Sequence, residues 1–198
     1  MGLRERKKEK VRQALRQAAL TLFATKGFAE TSVDEIVAAA EVSRSTFFRY
    51  FPSKEAVVFD GYDETGEIFA ELLRNRPPDE SALEAFEAAQ QKLAEVSDVE
   101  RHRAVAKWRE QLMANDTQLR ARHMEFVKRW EGTIAEIFAQ RRGRSKVAEP
   151  DRLAASVCMS AANRVSDQWW SSGGTADPHA LIATEFRLLR SLLGDGDD

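Results

Sequence analysis

The sequence has few of the residues that hold disulfide-rich or metal-dependent folds together. It contains one cysteine, Cys158, and three histidines among 198 residues. A single cysteine cannot form a disulfide within the chain, and no cysteine or histidine cluster has the spacing of a zinc site. These absences exclude disulfide scaffolds and zinc fingers. We therefore expect a reduced protein without a metal or a cofactor.

Long apolar runs are also missing. No stretch approaches the roughly 20 residues that a membrane helix needs, and the charged start, MGLRERKKEK, has no apolar segment of a secretory signal behind it. The composition, 43% hydrophobic and 31% charged, is that of a globular protein. We expect a cytoplasmic protein with no membrane partner.

Motifs of known catalytic chemistry do not occur. The sequence has no nucleophile elbow and no glycine-rich phosphate loop, and His102, His123 and His179 lie in unrelated contexts. We therefore predict no catalytic residues and a protein that is not an enzyme.

The apolar residues recur at three- and four-residue spacing, which predicts amphipathic helices, and no strand-length alternation occurs. We therefore predict an all-α fold of about nine helices. The predicted helices span residues 8–26, 33–40, 43–51, 53–75, 80–96, 99–113, 117–141, 150–171 and 178–193.

Charge is distributed unevenly along the chain, although the net charge is only -2. Residues 1–60 contain eleven Lys and Arg against eight Asp and Glu, and the remainder contains nineteen against twenty-four. The basic residues crowd the first twelve positions. Such an arm indicates either a nucleic-acid partner or simple solubility.

Two short predicted helices have the dimensions of a helix-turn-helix. Ser32 and Glu35 have the spacing of a capping box at the start of the first, and Ser43 is placed to cap the second. A turn of about three residues, 41–43, links them. This length is typical of a helix-turn-helix.

The residues of this pair also predict how it packs. Alanines at 38–40 keep the first helix small where we expect the second to cross, and Ile36, Val42 and Phe47 supply an apolar wedge. The remaining face is polar and aromatic, and could enter a DNA major groove. It consists of Arg44, Ser45, Thr46, Phe48, Arg49 and Tyr50. From spacing alone, an ordinary helix pair with solvated charges is an open alternative.

The stretches KGFAETSVDEI (26–36) and AEVSRSTFFRYFPSKE (40–55) closely resemble the DNA-binding domain of the TetR family of bacterial transcriptional regulators. The resemblance implies a three-helix DNA-binding domain over residues 1–55 and a helical effector-binding and dimerisation domain over 56–198. It implies a homodimer on a palindromic duplex operator, released by a small effector. A helical adaptor or ligand-binding protein without sequence-specific DNA binding is the alternative.

The resemblance also implies the DNA contacts, residue by residue. They are Ser32, Arg44, Ser45, Thr46, Arg49, Tyr50 and Lys54. Phe48 departs from the family pattern, in which tyrosine is common. Without a hydroxyl, Phe48 can offer only packing or an apolar contact.

The second half of the chain is rich in large apolar residues on predicted helices. They are typical of a core, but the resemblance implies a small-molecule pocket here. The candidate ligand contacts are Trp108, Met113, His123, Phe126, Trp130, Met159 and Asn163. His123 can equally be a core histidine. The end of the chain resembles family members proposed to bind acyl-CoA-like ligands, which makes an acyl thioester the predicted effector.

The last two predicted helices have apolar residues around a wide arc, which indicates more than one neighbouring helix. Leu181, Phe186 and Leu189 lie on this arc. Burial under the chain's own helices would explain them, but we expect pairing with the same helices of a second copy, with Phe186 and Leu189 in the dimer interface.

Overall fold

The computed structural model describes residues 2–96 and 117–194. In these two ranges the chain forms nine α-helices and no strand, which confirms the all-α prediction. The helices are α1 Leu3–Lys26, α2 Val33–Ala39, α3 Arg44–Tyr50, α4 Lys54–Val58, α5 Tyr62–Arg74, α6 Ala82–Val96, α7 Thr117–Arg141, α8 Glu149–Ser171 and α9 Pro178–Leu193. The helix predicted at 99–113, with Trp108 and Met113, lies outside the described residues.

Helix α1 begins five residues earlier than predicted, at Leu3. The basic arm is therefore its first two turns. Glu5 lies in the first turn, where a carboxylate favours the helix dipole, and Lys8 Nζ is 3.6 Å from the Glu5 carboxylate. The helix ends where predicted, because Gly27 adopts a φ of 97° and donates its N–H to the Phe23 carbonyl.

The single helix predicted over 53–75 is wrong. The structure divides it into α4 and α5 at residues 59–61, where Gly61 has a φ of 89°. The break holds Asp60 against α1: its buried carboxylate accepts a hydrogen bond from Arg12 and lies 3.8 Å from Arg16. This tertiary pairing and the left-handed glycine together end α4.

The chain divides into two compact units, Met1–Asp63 and Glu64–Asp198. The core of the first unit is aromatic and aliphatic. It contains Leu15 and Phe23 of α1, Ile36 of α2, Phe47 of α3 and Val57 of α4, all nearly or fully buried. Burial of these side chains fixes α2 and α3 against α1.

The core of the second unit lies between α5, α6, α7, α8 and α9. Phe86 of α6 stands at its centre, with ring centroids 4.8 Å from Phe69 of α5 and 5.9 Å from Phe186 of α9. Trp130 of α7 belongs to the same cluster. A glycine, Gly66, lets α5 approach Trp130: a Cβ built there would lie 2.0 Å from Trp130 Cζ2.

Candidate DNA-binding surface

Both helices of the predicted helix-turn-helix form, and their N-caps are the predicted ones. Ser32 accepts the Glu35 backbone N–H through its hydroxyl, and Glu35 accepts the Ser32 N–H at 2.9 Å, so the capping box is confirmed. Ser43 caps α3 by accepting the Thr46 N–H at 3.1 Å. These caps satisfy backbone donors that would otherwise be exposed at each helix start.

The turn between α2 and α3 depends on one residue in the left-handed region. Glu41 has a φ of 53°, and it is the only described non-glycine residue with a positive φ. The chain then reverses so that the Val42 N–H donates to the Val37 carbonyl at 3.0 Å. A non-glycine residue in this conformation costs free energy, so the fold of the turn is imposed by its neighbours.

The packing of α3 is anchored by Phe47, which is fully buried, as is Ile36 of α2. Val42 is half-buried, so the predicted apolar wedge is present. The prediction that alanines 38–40 lie at the crossing is wrong, because Ala38 and Ala39 are exposed. Helix α2 instead buries Ile36 and Val37, one turn earlier.

The outward face of α3 begins with Arg44. Its Nη1 donates to both carboxylate oxygens of Asp34, at 2.8 and 2.9 Å, and its guanidinium lies 5.7 Å from the ring centroid of Phe48. Phe48 is 46% exposed. The ion pair crosses from α2 to α3 and leaves the other guanidinium nitrogens of Arg44 outside that pair.

The other predicted residues of α3 fall into two groups. The hydroxyls of Ser45 and Thr46 each lie 2.9 Å from Ser43 Oγ, so they form one cluster at the start of the helix. At the end of the helix, Arg49 is exposed and lies over the Tyr50 ring, 5.3 Å from its centroid.

Lys54 takes part in a backbone contact that the sequence did not reveal. Its Nζ donates to the carbonyls of Phe28 at 2.6 Å and Thr31 at 2.9 Å, and lies 4.3 Å from the Phe28 ring centroid. The ammonium thus fastens the segment that links α1 to α2. Contact with a DNA phosphate stays a prediction, and this structural role adds to it.

Ser32 is exposed beside that segment and is bound to Glu35 through both its backbone and its hydroxyl. Hydrogen bonds from Lys26 and from the Ser32 backbone and hydroxyl lower the pKa of Glu35 to about 2. The carboxylate is therefore ionised wherever the protein is folded near neutral pH.

Sequence reasoning missed Asp34 and the cations at the start of α1. Asp34 was read only as part of the capping region, and its pairing with Arg44 depends on the crossing angle of two helices. The helical spacing of Arg4, Lys7 and Lys8 was the available signal for the α1 surface, once that segment is known to be helical.

The candidate ligand residues of the second unit are partly core residues. Trp130 is buried, and Phe126 and Met159 pack against the same cluster; the Phe126 and Trp130 centroids are 6.0 Å apart. His123 and Asn163 are half-buried. The Nε1–H of Trp130 has no hydrogen-bond partner among the described residues. A role in ligand binding stays a prediction for all of them.

Within residues 2–96 and 117–194, no group of histidine, cysteine and acidic residues could hold a metal ion. None of the helices described there is long and apolar enough to cross a membrane.

A helix-turn-helix with a polar outer face defines a class of DNA-binding proteins, and comparison with known families places the chain within it. Residues 15–60 match the family described as bacterial regulatory proteins, tetR family, and residues 80–194 match the MftR C-terminal domain. The chain belongs to the TetR family of transcriptional regulators, with an MftR-like C-terminal domain.

Individual relatives agree. The chain is 32% identical over 196 residues to the transcriptional regulator TcmR of Streptomyces glaucescens, covering 94% of this chain and 85% of that protein. It is 32% identical over 132 residues to the putative mycofactocin biosynthesis transcriptional regulator MftR of Mycobacterium tuberculosis, covering 63% of this chain and 62% of MftR. The fold is similar to that of FadR from Bacillus subtilis in complex with stearoyl-CoA, with a TM-score of 0.60, 21% identity and coverage of 89% and 96% of the two chains.

Membership of this family confirms a DNA-binding transcriptional regulator and a non-enzymatic protein. It also decides against the helical adaptor that the sequence alone left open.

Proposed function

We propose that the protein is a cytoplasmic homodimeric repressor that binds a palindromic operator and is released by a small apolar effector. One observation carries the DNA-binding part. Helix α3 is anchored on its inner side by the buried Phe47, while Arg44, Ser45 and Phe48 on its outer side are exposed. A rigidly held helix with a polar, exposed face is what entry into the major groove requires.

Arg44 is the residue of α3 best placed to read a base. It is the first residue of the helix, the end that meets base edges in helix-turn-helix proteins. Its ion pair with Asp34 restrains the guanidinium at one nitrogen, and the remaining donors can pair with guanine O6 and N7. Asp34 acts as a positioning residue.

Selection of bound duplexes from a random pool tests this function. The proposal requires a palindromic consensus, because a symmetric dimer presents two copies of α3 to two half-sites. Recovery of unrelated duplexes without a shared sequence would contradict sequence-specific binding.

The dimer interface is proposed on the solvent face of the last two helices. Leu188 and Leu192 of α9 are 53% and 84% exposed, and Leu153 of α8 is 67% exposed. Leu188 and Leu192 are four residues apart and share one face. Phe186 is fully buried in the core of its own unit, and Leu189 packs against that core. The interface residues expected from sequence are thereby corrected: the exposed leucines replace Phe186 and Leu189.

A pair of variants distinguishes interface from core. Leu188→Glu with Leu192→Glu should give a helical monomer, measured by sedimentation and circular dichroism, because both side chains are exposed in one copy of the chain. Phe186→Glu should unfold the chain, because it puts a charge in the core. A double variant that stays dimeric would contradict this placement.

The effector is proposed to be an acyl thioester held in the second unit near Phe126, Trp130 and Met159. The apolar side chains suit an acyl chain, and the unpartnered Nε1–H of Trp130 would donate to the carbonyl oxygen. The fold similarity to FadR, whose structure contains stearoyl-CoA, supports the same class of ligand. Ligand and operator favour different conformations, so each weakens the other by the same factor.

Titration of acyl-CoAs of increasing chain length, followed by tryptophan emission and by operator affinity, tests the effector. Trp130→Phe removes the N–H while it keeps a ring, and should weaken acyl-CoA binding. Trp169→Phe is the matched control, because the Trp169 Nε1–H is also buried and unpartnered but lies on α8. Acyl-CoA binding that leaves operator affinity unchanged would contradict release by this ligand.

A further inference from the structure

A cleft lined by the first turns of α1 and the end of α3 carries a cluster of cations. It has a volume of about 780 Å³, and all of its charged lining residues are basic. They are Arg4, Lys7 and Lys8 of α1 and Arg49 of α3, with Val11 and Tyr50 as the apolar part of the wall.

The α1 residues of the cleft share one face of the helix. Arg4, Lys7, Lys8 and Val11 follow the spacing i, i+3, i+4 and i+7, which brings their side chains together. Because α1 is helical from Leu3, this row is held in place rather than attached to a loose arm. The apolar Val11 at its end meets the wall formed by α3.

Most of these cations are uncommitted. Within the described part of the chain, Arg4, Lys7 and Arg49 have no ion pair, and Lys8 is 3.6 Å from the exposed Glu5. Arg44, in contrast, is paired with Asp34, and the ammonium of Lys54 is bound to backbone carbonyls. The positive charge that is free to meet an anion is therefore concentrated in the cleft.

We propose that this cleft binds the phosphate backbone of the operator beside the base pairs that α3 reads. The inference rests on the proposed function, because Arg49 belongs both to the cleft and to α3. Arg4, Lys7, Lys8 and Val11 precede residue 15, where the match to the TetR family begins. Helix α1 thus adds a phosphate contact to the DNA surface of α2 and α3.

A phosphate contact has a defined signature. It adds affinity for every duplex equally, since the backbone carries no sequence information, and it increases the salt dependence of binding. Each lost phosphate contact lowers the slope of log affinity against log salt concentration by about one unit. A homodimer carries the cleft twice, so loss of one contact in each protomer lowers the slope by about two units.

The test compares two double variants of the full chain. Arg4→Gln with Lys7→Gln removes two cations of the cleft, and Arg6→Gln with Lys10→Gln removes two exposed cations from a different face of the same helix. Both change the net charge by the same amount, and glutamine preserves helix propensity. Affinity is measured at several salt concentrations on the selected operator and on a scrambled duplex of equal length.

We expect the cleft variant to lose about two units of slope on both duplexes, with its preference for the operator unchanged, and the control variant to lose clearly less. Equal losses for the two variants would overturn the proposal, because long-range charge alone would then explain them. So would an unchanged slope in the cleft variant. A wild-type protein that does not prefer the operator would refute the proposed function instead, and the scrambled duplex would still decide the role of the cleft.

Discussion

Gly66→Ala tests the close approach of α5 to α7 in the second unit. A Cβ at residue 66 would lie 2.0, 2.2 and 2.6 Å from three ring atoms of Trp130, whereas carbon atoms in contact are about 3.5–4.0 Å apart. The indole ring must therefore move by an ångström or more. It has little room to do so, because it lies in the core cluster with Phe138 and Ile134.

The expected cost follows from a matched control on α7. Gly132 is helical and exposed, and a Cβ there meets nothing within 4 Å. Gly132→Ala should therefore stabilise the protein by up to about 1 kcal/mol through helix propensity. Gly66→Ala gains the same propensity but overpacks the core, so its free energy of unfolding should fall below that of the control by about 1–3 kcal/mol.

Urea unfolding followed by tryptophan emission measures this difference, since all four tryptophans lie in the second unit. Trp130→Phe should partly rescue Gly66→Ala, because the smaller ring removes the clashing atoms. Equal stabilisation by the two alanine variants would refute the packing argument, and so would additive effects in the double variant.

Three further results are expected in the first unit. Glu41→Gly should raise the free energy of unfolding by about 1 kcal/mol, because it relieves the left-handed turn, whereas Ala40→Gly should lower it; a loss in both would refute the strain. Glu35 should titrate near pH 2 in carbon NMR. Since its pKa is lowered on folding, its contribution is full above the ordinary value of 4.5 and is lost as pH falls towards 2, so Glu35→Gln should flatten the acid limb of stability; a midpoint near 4.5 would contradict this. Lys54→Met should lower the free energy of unfolding by about 1–3 kcal/mol through lost charged hydrogen bonds, and unchanged stability would leave the lysine a purely DNA-facing role.

Local signals predicted the local structure well. The caps at Ser32 and Ser43 form as predicted, because a capping bond joins residues that are two or three apart and is encoded within one turn. The amphipathic stripe of α1 likewise identified Leu15 and Phe23 as core residues. The left-handed Gly27 ends the helix as its position indicated.

Features that depend on tertiary contacts could not be predicted in this way. The break after Val58 depends on Asp60 meeting Arg12, which is 48 residues away in the chain. Whether Phe186 or Leu188 faces a partner depends on which side of α9 the rest of the unit covers, and helical spacing does not reveal that. The second role of Lys54 depends on where the loop after α1 lies.

The central claim is that α3 reads a specific sequence, with Arg44 at a base edge. Selection from a random duplex pool with the wild-type chain and with Arg44→Ala tests it most directly. We predict that the wild-type consensus is palindromic and that the variant loses preference at one symmetry-related base pair in each half-site, at a cost of about 1–3 kcal/mol per contact. An Arg44→Ala variant that recovers the unchanged consensus, with weaker binding to every duplex alike, would contradict the claim.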